Sequence, residues 1–488
     1  MHRMRDAGML ARRSVLEMFM LLSKTFAVAA IASLFTATGY AADGDLDPTF
    51  GTAGIAYIAP DLDAAQELQP AATIVLPDGR ILFGGSLDKP TGVPFEQEYR
   101  GMLARLNADG SVDTTFGNTT IPGIVEIPNL VSGNRMEGIE SMQRLDDGSI
   151  VAVGVSQVNS PLQGFVIKLD DTGTLDPTFG NGGVVLIPQT FAHAVGIDSS
   201  GRIVVAGEHI ASGVYTSNVL RYAADGTPDA TFGNGGTLAI EWDGAGNSGF
   251  LGSLIVDADD GVIVAGEYDV YGDGLGSDFA IARVDATGTL DATFGDAGTR
   301  VFHDPGDTSF INAINRIAKT PDGGIAFAGY YYTVNSATAL IIGHLAADGS
   351  TDTAFGDAVS PGYFRPAILP TAQSANASAL VAQPDGKLLV SVSYYPNPPD
   401  KEDFYVLRST TAGQLDDTFA NGGIFESDLA PSGVYSETGT IGLQPDGAIL
   451  LAGRAQLTSD FVVDLGAVRL LNGGGVPADR IFADGFEL

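Results

Sequence analysis

The stretch Leu175-Asp176-Pro177-Thr178-Phe179-Gly180-Asn181-Gly182-Gly183 constrains this chain more than any other feature, because its Asp-x-x-Phe core recurs seven times. The pairs are Asp47/Phe50, Asp113/Phe116, Asp176/Phe179, Asp229/Phe232, Asp291/Phe294, Asp352/Phe355 and Asp416/Phe419. Successive phenylalanines stand 53 to 66 residues apart. A second signal keeps the same beat: a turn of Asp-Gly or Ser-Gly between apolar runs at 78–79, 147–148, 200–201, 260–261, 322–323, 385–386 and 446–447. A fixed period of this kind marks a repeat architecture, in which each unit buries its apolar surface against its neighbours.

Each unit reads as four short strands. One follows the Phe-Gly turn (Gly183 to Ile187), one approaches the Asp-Gly turn (Ile441 to Gln444), one leaves it (Ile449 to Gly453), and one ends the unit (Phe279 to Val284). These runs are apolar and bounded by Gly, Pro, Asp or Asn, which is the signature of strands, and Asp-Gly between two of them is a hairpin signal. Seven units of four strands predict an all-β fold, a seven-bladed β-propeller of four-stranded antiparallel blades. A parallel β-helix is the competing repeat fold, but its coils are much shorter than this unit.

The repeated Leu-Asp-x-Thr-Phe-Gly, with Pro77-Asp78-Gly79-Arg80-Ile81-Leu82 downstream, resembles the bacterial delta-60 repeat family. The resemblance spans about residues 45–472; Thr351 and the pair Phe419-Ala420 depart from the pattern. It implies a propeller-like repeat found in secreted and surface proteins, and no defined activity.

Residues 1–41 carry Arg3, Arg5, Arg12, Arg13 and Lys24 ahead of an apolar run from Phe26 to Phe35, then small residues up to Ala41. That is the order of a secretory signal peptide, so a secreted or cell-surface protein is expected. Residues 45–472 would form the propeller, and 473–488 a Gly-rich linker with a short tail ending in Phe486-Glu487-Leu488. The formal net charge is −34. Such acidity argues against nucleic acid and anionic membranes as partners. The absence of cysteine excludes disulfides, thiolate metal sites and a cysteine nucleophile. No segment after residue 41 is apolar for long enough to span a membrane as a helix. A monomer is expected.

Three sets of residues are candidates for a role. The aspartates and phenylalanines of the repeat read as structural, since Asp caps turns through backbone N–H groups. Arg105, Lys168, Arg221, Arg283, His344, Arg408 and Arg469 hold one place in the fourth strand of every unit. They either line a central channel as a basic ring or pair with the turn aspartates inside each blade, and the second reading is preferred because buried charges need partners. The third set comes from strand parity. The Asp-Gly and Phe-Gly turns repeat on one face, and the loops on the other face differ in every blade. Recognition usually sits on loops that vary over a fixed scaffold. That variable face is assigned Trp242, Tyr215, Tyr268, Tyr271, Tyr331, Tyr394, Glu208, Glu267 and His209, with His193 and His303 nearby. Aromatic rings beside carboxylates suit a glycan or a protein ligand.

No catalytic motif stands out: no helical zinc motif, nucleophile elbow or phosphate loop is present. The loops Asn107 to Asp113 and Asp285 to Asp291 hint at calcium, but Ala223 and Ala346 replace the first oxygen-bearing position and the bidentate Glu is missing. No cofactor is therefore expected. The reading that results is an exported, non-catalytic binding or scaffold propeller. The alternative is an extracellular polysaccharide hydrolase or lyase built on the same scaffold.

Overall fold

The computed structural model describes residues 42–58, 67–90, 97–117, 121–131, 136–157, 162–242, 249–269, 276–302, 311–332, 338–356, 358–367, 372–396, 403–429, 436–456 and 463–473. Within them the chain forms a seven-bladed β-propeller of four-stranded antiparallel sheets. Blade three shows the plan: Thr190–Ile197 pairs with Ile203–Ala211, that strand with Val214–Tyr222, and that in turn with Thr237–Ala239. The innermost strands of the seven blades are Glu67–Val75, Met136–Arg144, Thr190–Ile197, Gly249–Val256, Asn312–Lys319, Ala372–Ala382 and Ser436–Leu443. Each lies against the innermost strands of both neighbouring blades, and Glu67–Val75 meets Ser436–Leu443, which closes the ring around a central channel. No helix among the described residues is long and apolar enough to cross a membrane.

The strand approaching the Asp-Gly turn is therefore innermost, and the strand after the Phe-Gly turn is outermost. Blade seven is completed by the other end of the chain: Ile55–Ile58 pairs antiparallel with Asp464–Leu470, placing Ile55 opposite Val468. The first repeat turn, Asp47 to Phe50, thus belongs to the last blade, and the backbone N–H of Asp47 donates to the carbonyl of Arg469 at 2.9 Å.

The hairpins are three-residue loops rather than two-residue turns. Leu76 N–H donates to Arg80 O at 2.7 Å, Gly79 N–H donates to Leu76 O at 2.8 Å, and Gly79 has φ +84°. Only the third loop residue adopts positive φ, which is a type I turn closed by a left-handed residue. In blade four the left-handed position is Asp260, at φ +61°, with Gly261 one residue beyond it. The match of Asp260-Gly261 to the other Asp-Gly pairs is therefore out by one. Asp260 is held there by neighbours in blade three, accepting from Ser199 N at 2.7 Å and Ser199 Oγ at 2.9 Å.

The seven repeat phenylalanines, Phe50, Phe116, Phe179, Phe232, Phe294, Phe355 and Phe419, are all buried. The loop of one blade sits on the phenylalanine of the blade before. A Cβ placed on Gly288 would lie 2.8 Å from Phe232, one on Gly349 2.8 Å from Phe294, and one on Gly413 2.8 Å from Phe355. Backbone bonds run alongside: Gly233 N–H donates to Thr287 O at 2.8 Å, and Gly180 N–H to Asp225 O at 2.8 Å. The repeat turn is thus the joint between blades.

The joints are not copies of one another, as a uniform repeat would have them. After Phe294 the turn closes within four residues, Gly298 N–H donating to Phe294 O at 2.7 Å. After Phe355 the chain makes a longer excursion before Gly362 N–H donates to Phe355 O at 2.6 Å. Gly356 accordingly stands at φ +87°, against +53° for Gly295.

Candidate functional site

The seven cationic positions lie on the third strand of each blade, not on the channel. Arg105 meets Asp113 at 2.7 Å, Lys168 meets Asp176 at 3.5 Å, and Arg221 meets Asp229 at 2.8 Å. Arg283 meets Asp291 at 3.5 Å, His344 meets Asp352 at 2.8 Å, Arg408 meets Asp416 at 2.7 Å, and Arg469 meets Asp47. A channel ring is excluded by this placement. Each turn aspartate divides its oxygens: Asp229 Oδ1 accepts from Thr231 N at 3.0 Å and Thr231 Oγ1 at 2.6 Å, leaving Oδ2 for Arg221. The Thr231 hydroxyl, the Thr231 amide and Arg221 outweigh the cost of desolvation and lower the Asp229 pKa to about 2.

Arginine also caps the phenylalanine below it, as Arg105 does 4.2 Å over Phe116. Arg221 over Phe232 at 4.5 Å and Arg408 over Phe419 at 4.6 Å repeat the contact, and Phe50, Phe179, Phe294 and Phe355 depart from it. In the blade of Phe294 the Arg283 guanidinium turns to Asp257 and Asp259, each at 3.3 Å, and the phenylalanine packs among Ile263, Ile281 and Ile317. Over Phe355 the cap is the imidazole of His344, tilted at 5.7 Å. Both phenylalanines are buried, but the cation above them is not a constant part of the joint. This face is spent on holding blades together. The loops that hinted at calcium form turns of the same kind: Asp285 Oδ1 accepts from Thr287 N, Thr287 Oγ1 and Thr289 N.

The channel is different. Every innermost strand carries a β-bulge at the same place, with Ala71, Glu140, His193, Gly252, Asn315, Ser378 and Gly439 as the extra residues. A bulge bends its strand and re-aims a side chain. Opposite it, six of the seven blades place a glycine on the second strand: Gly85, Gly154, Gly207, Gly266, Gly329 and Gly453. A Cβ on Gly207 would lie 1.8 Å from the carbonyl oxygen of Phe191, so no other residue fits without moving backbone. The bulge and its glycine repeat around the ring, while the side chain displayed differs in nearly every blade.

Bulging brings residues of blades two, three and four together. His193 Nδ1 lies 2.5 Å from Glu140 Oε2, and His193 Nε2 lies 2.9 Å from Glu208 Oε2. The other oxygen of the fully buried Glu208 accepts from Leu251 N at 2.5 Å. Burial works against the His193 cation, but the bonds to Glu140 and Glu208, and their charges, overcome it and raise the pKa to about 10. The imidazole is a fixed cation bridging two carboxylates through nitrogens on opposite sides of its ring. Such groups do not converge on one point, and no cluster of three His, Asp or Glu among the described residues is arranged to hold a metal ion. Burial raises the Glu267 pKa; the Ser277 hydroxyl opposes this at 3.0 Å, and the charges of Glu208 and Asp269 add to it. Arg316 stands across the channel, its Nη1 donating to Asn315 O at 2.8 Å. Desolvation lowers its pKa against the pull of Glu140.

A stack of rings continues outward from His193. Phe191 and His193 stack at 5.7 Å, Phe191 and Tyr215 at 6.5 Å, and Phe250 tilts against Tyr215 at 5.2 Å. All four rings are half-buried.

Six segments, 76–116, 145–179, 199–232, 258–294, 320–355 and 383–419, match the model of a family described as a β-propeller domain of unknown function, DUF5122. The chain is a β-propeller repeat protein. Each matched segment of the propeller begins at a hairpin and ends on the repeat phenylalanine; the seventh such unit is divided between the two ends of the chain. No curated protein matches it. Among solved structures, it is similar to the polysaccharide lyase Uly1 at 11% identity and TM-score 0.46, over 86% of this chain and 93% of that one. It is similar to the NanB sialidase of Streptococcus pneumoniae at 10% identity and TM-score 0.39, over 89% and 71%. For the Drosophila Semaphorin 1a extracellular domains 1–2 the values are 11% and 0.43, over 85% and 88%.

The residues assigned to the variable face of the propeller divide sharply. Glu208, His209, Tyr215 and Glu267 are carried by the second and third strands of blades three and four rather than by loops. Trp242 is 7% exposed and donates from Nε1 to Ser217 Oγ at 3.0 Å. Tyr268 and Tyr394 are buried, the hydroxyl of Tyr394 donating to Glu426 Oε1 at 3.3 Å. These three pack inside the blades and are not an open binding surface. Tyr331 is half-buried, with the Arg365 guanidinium 5.5 Å over its ring. His209 Nδ1 lies 3.4 Å from Thr190 Oγ1. Tyr271 and His303 lie outside the described residues. Phe191, Phe250, Glu140 and Arg316 were not signalled by the sequence; Phe191 and Phe250 read as ordinary core residues of apolar strands.

Proposed function

We propose that this protein is an exported, non-catalytic binding propeller that recognises a glycan at the channel mouth on the face away from the hairpins. The observation that carries this reading is the ring stack of His193, Phe191, Tyr215 and Phe250, continuous with the Glu140–His193–Glu208 bridge. Sugars present apolar C–H faces to aromatic rings and hydroxyls to carboxylates, and this strip offers both. The electrostatics favour binding over turnover. An imidazole held protonated up to about 10 is a poor base at neutral pH. The alternative of a polymer hydrolase or lyase draws support from one residue, Glu267, whose raised pKa suits a general acid.

The test is binding of residues 42–488 to a glycan array, with Tyr215→Ala and Phe191→Ala variants. Specific binding lost in both variants supports the site; binding unchanged in both removes it. Turnover of a bound glycan, abolished by Glu267→Gln with affinity retained, selects the enzyme instead. Export by residues 1–41 is tested by where the full chain and a chain lacking them accumulate.

A further inference from the structure

Side chains at and beside the bulges decide where the channel is filled. On one side, His193, Asn315 and Arg316 project long side chains that bond to strands of other blades: Asn315 Nδ2 donates to Ala377 O at 2.8 Å, and Arg316 Nη1 reaches Gly252 O at 3.5 Å. On the other side the bulge residues are Ala71, Ser378 and Gly439, which are too small to fill the space. A cavity of about 400 Å³ remains there, against blades six, seven, one and two.

The lining of this cavity has a chemical pattern. Glu140 enters it with 39% of its side chain exposed; its Oε2 is bound to His193, and Oε1 remains as an acceptor. Glu437 faces it from blade seven, held by Arg454 and the Ser393 hydroxyl. Arg454 itself lines the wall with 30% of its side chain exposed, as a donor. Between these groups the wall mixes Pro70, Ala71, Ile139 and the bare backbone of glycines with the polar side chains of Gln69, Ser86 and Ser378. Acceptors, donors and apolar groups share the wall of a space within the usual range for small-molecule pockets. Two carboxylates oppose an anion, and the neighbouring guanidinium opposes an amine. A neutral molecule bearing several hydroxyls suits all three charges, since each hydroxyl both donates and accepts.

We infer that this cavity is a binding site for a single neutral sugar ring, with Glu140 and Glu437 accepting from its hydroxyls and Arg454 donating to them. The inference deepens the glycan reading and rests on it for the ligand class. It shares Glu140 with the bridge beside the ring stack but none of the stacked rings, so Ala71→Leu and Tyr215→Ala let the two fail separately.

The experiment titrates residues 42–488 with a panel of neutral monosaccharides by calorimetry, comparing the parent with Ala71→Leu, Glu140→Gln and Tyr215→Ala. Ala71 is exposed to the cavity, so leucine there takes up space without entering the core. Expected is monosaccharide binding that falls at least tenfold in Ala71→Leu and in Glu140→Gln, and is retained in Tyr215→Ala, with the melting temperature of Ala71→Leu unchanged. The inference is overturned if the parent binds no monosaccharide, if Ala71→Leu binds as the parent does, or if simple amines bind in place of sugars. Array glycans that bind through Tyr215 while Ala71→Leu has no effect on any sugar would leave the ring stack standing and sink the cavity site alone.

Discussion

Arg408 Nε donates to Asp416 Oδ2 at 2.7 Å, eight residues along the chain, and the two side chains are 1% and 5% exposed. The same pairing, cation on the third strand and aspartate at the turn, is built seven times. Here it also ties the ring shut, because Asp43 near the start of the described chain lies 3.1 Å from Arg408 Nη2. Removing one member of a buried pair typically costs about 3–5 kcal/mol, and here the low end applies because Lys387 remains 2.9 Å from Asp416. Arg408→Met should therefore destabilise by about 3 kcal/mol in urea unfolding. A loss under about 1 kcal/mol would place the pair with surface ion pairs and refute its role as a clasp.

Acid should unfold the propeller through these turns. The Asp229 pKa is lowered to about 2, and the Asp416 carboxyl is held well below the ordinary range by Thr418, Lys387 and Arg408 against the cost of burial. A group whose folded pKa is depressed contributes stability above its unfolded value, and that contribution is lost as pH falls to the folded value. Stability should hold above about pH 4 and decline steeply from there toward pH 2, with Asp229→Asn showing a flatter decline. Chemical denaturation across pH 2 to 6 measures this, and equal slopes for parent and variant would contradict it.

The bulge glycines give a sharper expectation. A Cβ on Gly207 would stand 1.8 Å from Phe191 O, and one on Gly154 1.8 Å from Gly138 O. Neither contact can be relieved by turning a side chain. Gly207→Ala and Gly154→Ala should each cost about 3 kcal/mol, at the upper end for a single methyl group. Retention of parental stability in either variant would mean that the strand pair tolerates loss of the bulge.

The seven units and their turns could be read from the sequence because they repeat: Asp229 and Phe232 recur at a constant offset, and a hairpin follows each. The joint role of Arg221 was accessible for the same reason. What the period hides is variation between copies, as at Phe294 and Phe355, where the same two letters sit under different partners. The channel was not legible at all. Gly207 is visible in the run Ile203-Val204-Val205-Ala206-Gly207, but nothing local says that the strand opposite carries one residue too many. Without the bulge, His193 looks like one polar residue in an apolar strand. Its partners, Glu140 and Glu208, come from a neighbouring blade and from the next strand of its own. Trp242 and Tyr268 misled for a related reason: aromatic residues near variable loops look exposed, whereas their rings pack 6.5 Å apart between blades three and four. A sequence period locates units along the chain and leaves open what two units place between them.

Left-handed alanines offer a gain. Ala53 and Ala297 have φ +55° and +54° at the place where Gly182 and Gly235 occur in other units. A left-handed L-residue costs roughly 1–2 kcal/mol, while glycine gives back about 0.5–1 kcal/mol in chain entropy. Ala297→Gly and Ala53→Gly should each be stabilising by up to about 1 kcal/mol, and together they should raise the melting temperature. Destabilisation by either would show that the methyl group makes a compensating contact.

His193 sets the behaviour in base. Its pKa is raised from 6.5 to about 10 by Glu140 and Glu208 despite burial. A raised folded pKa contributes stability that is complete below the unfolded value and is lost as pH rises through the folded value. The parent should exceed His193→Gln in stability at pH 6, and the difference should shrink between 6.5 and about 10. Above that range the neutral imidazole no longer offsets two carboxylates at the channel mouth, and Glu140 should separate from Glu208. The measurement is urea unfolding of both proteins at pH 6, 8 and 10.5, together with the imidazole proton shift of His193 over the same series. A titration near 6.5, or a stability difference that is the same at all three pH values, would mean that the bridge is not charged and that the channel mouth is held by other contacts.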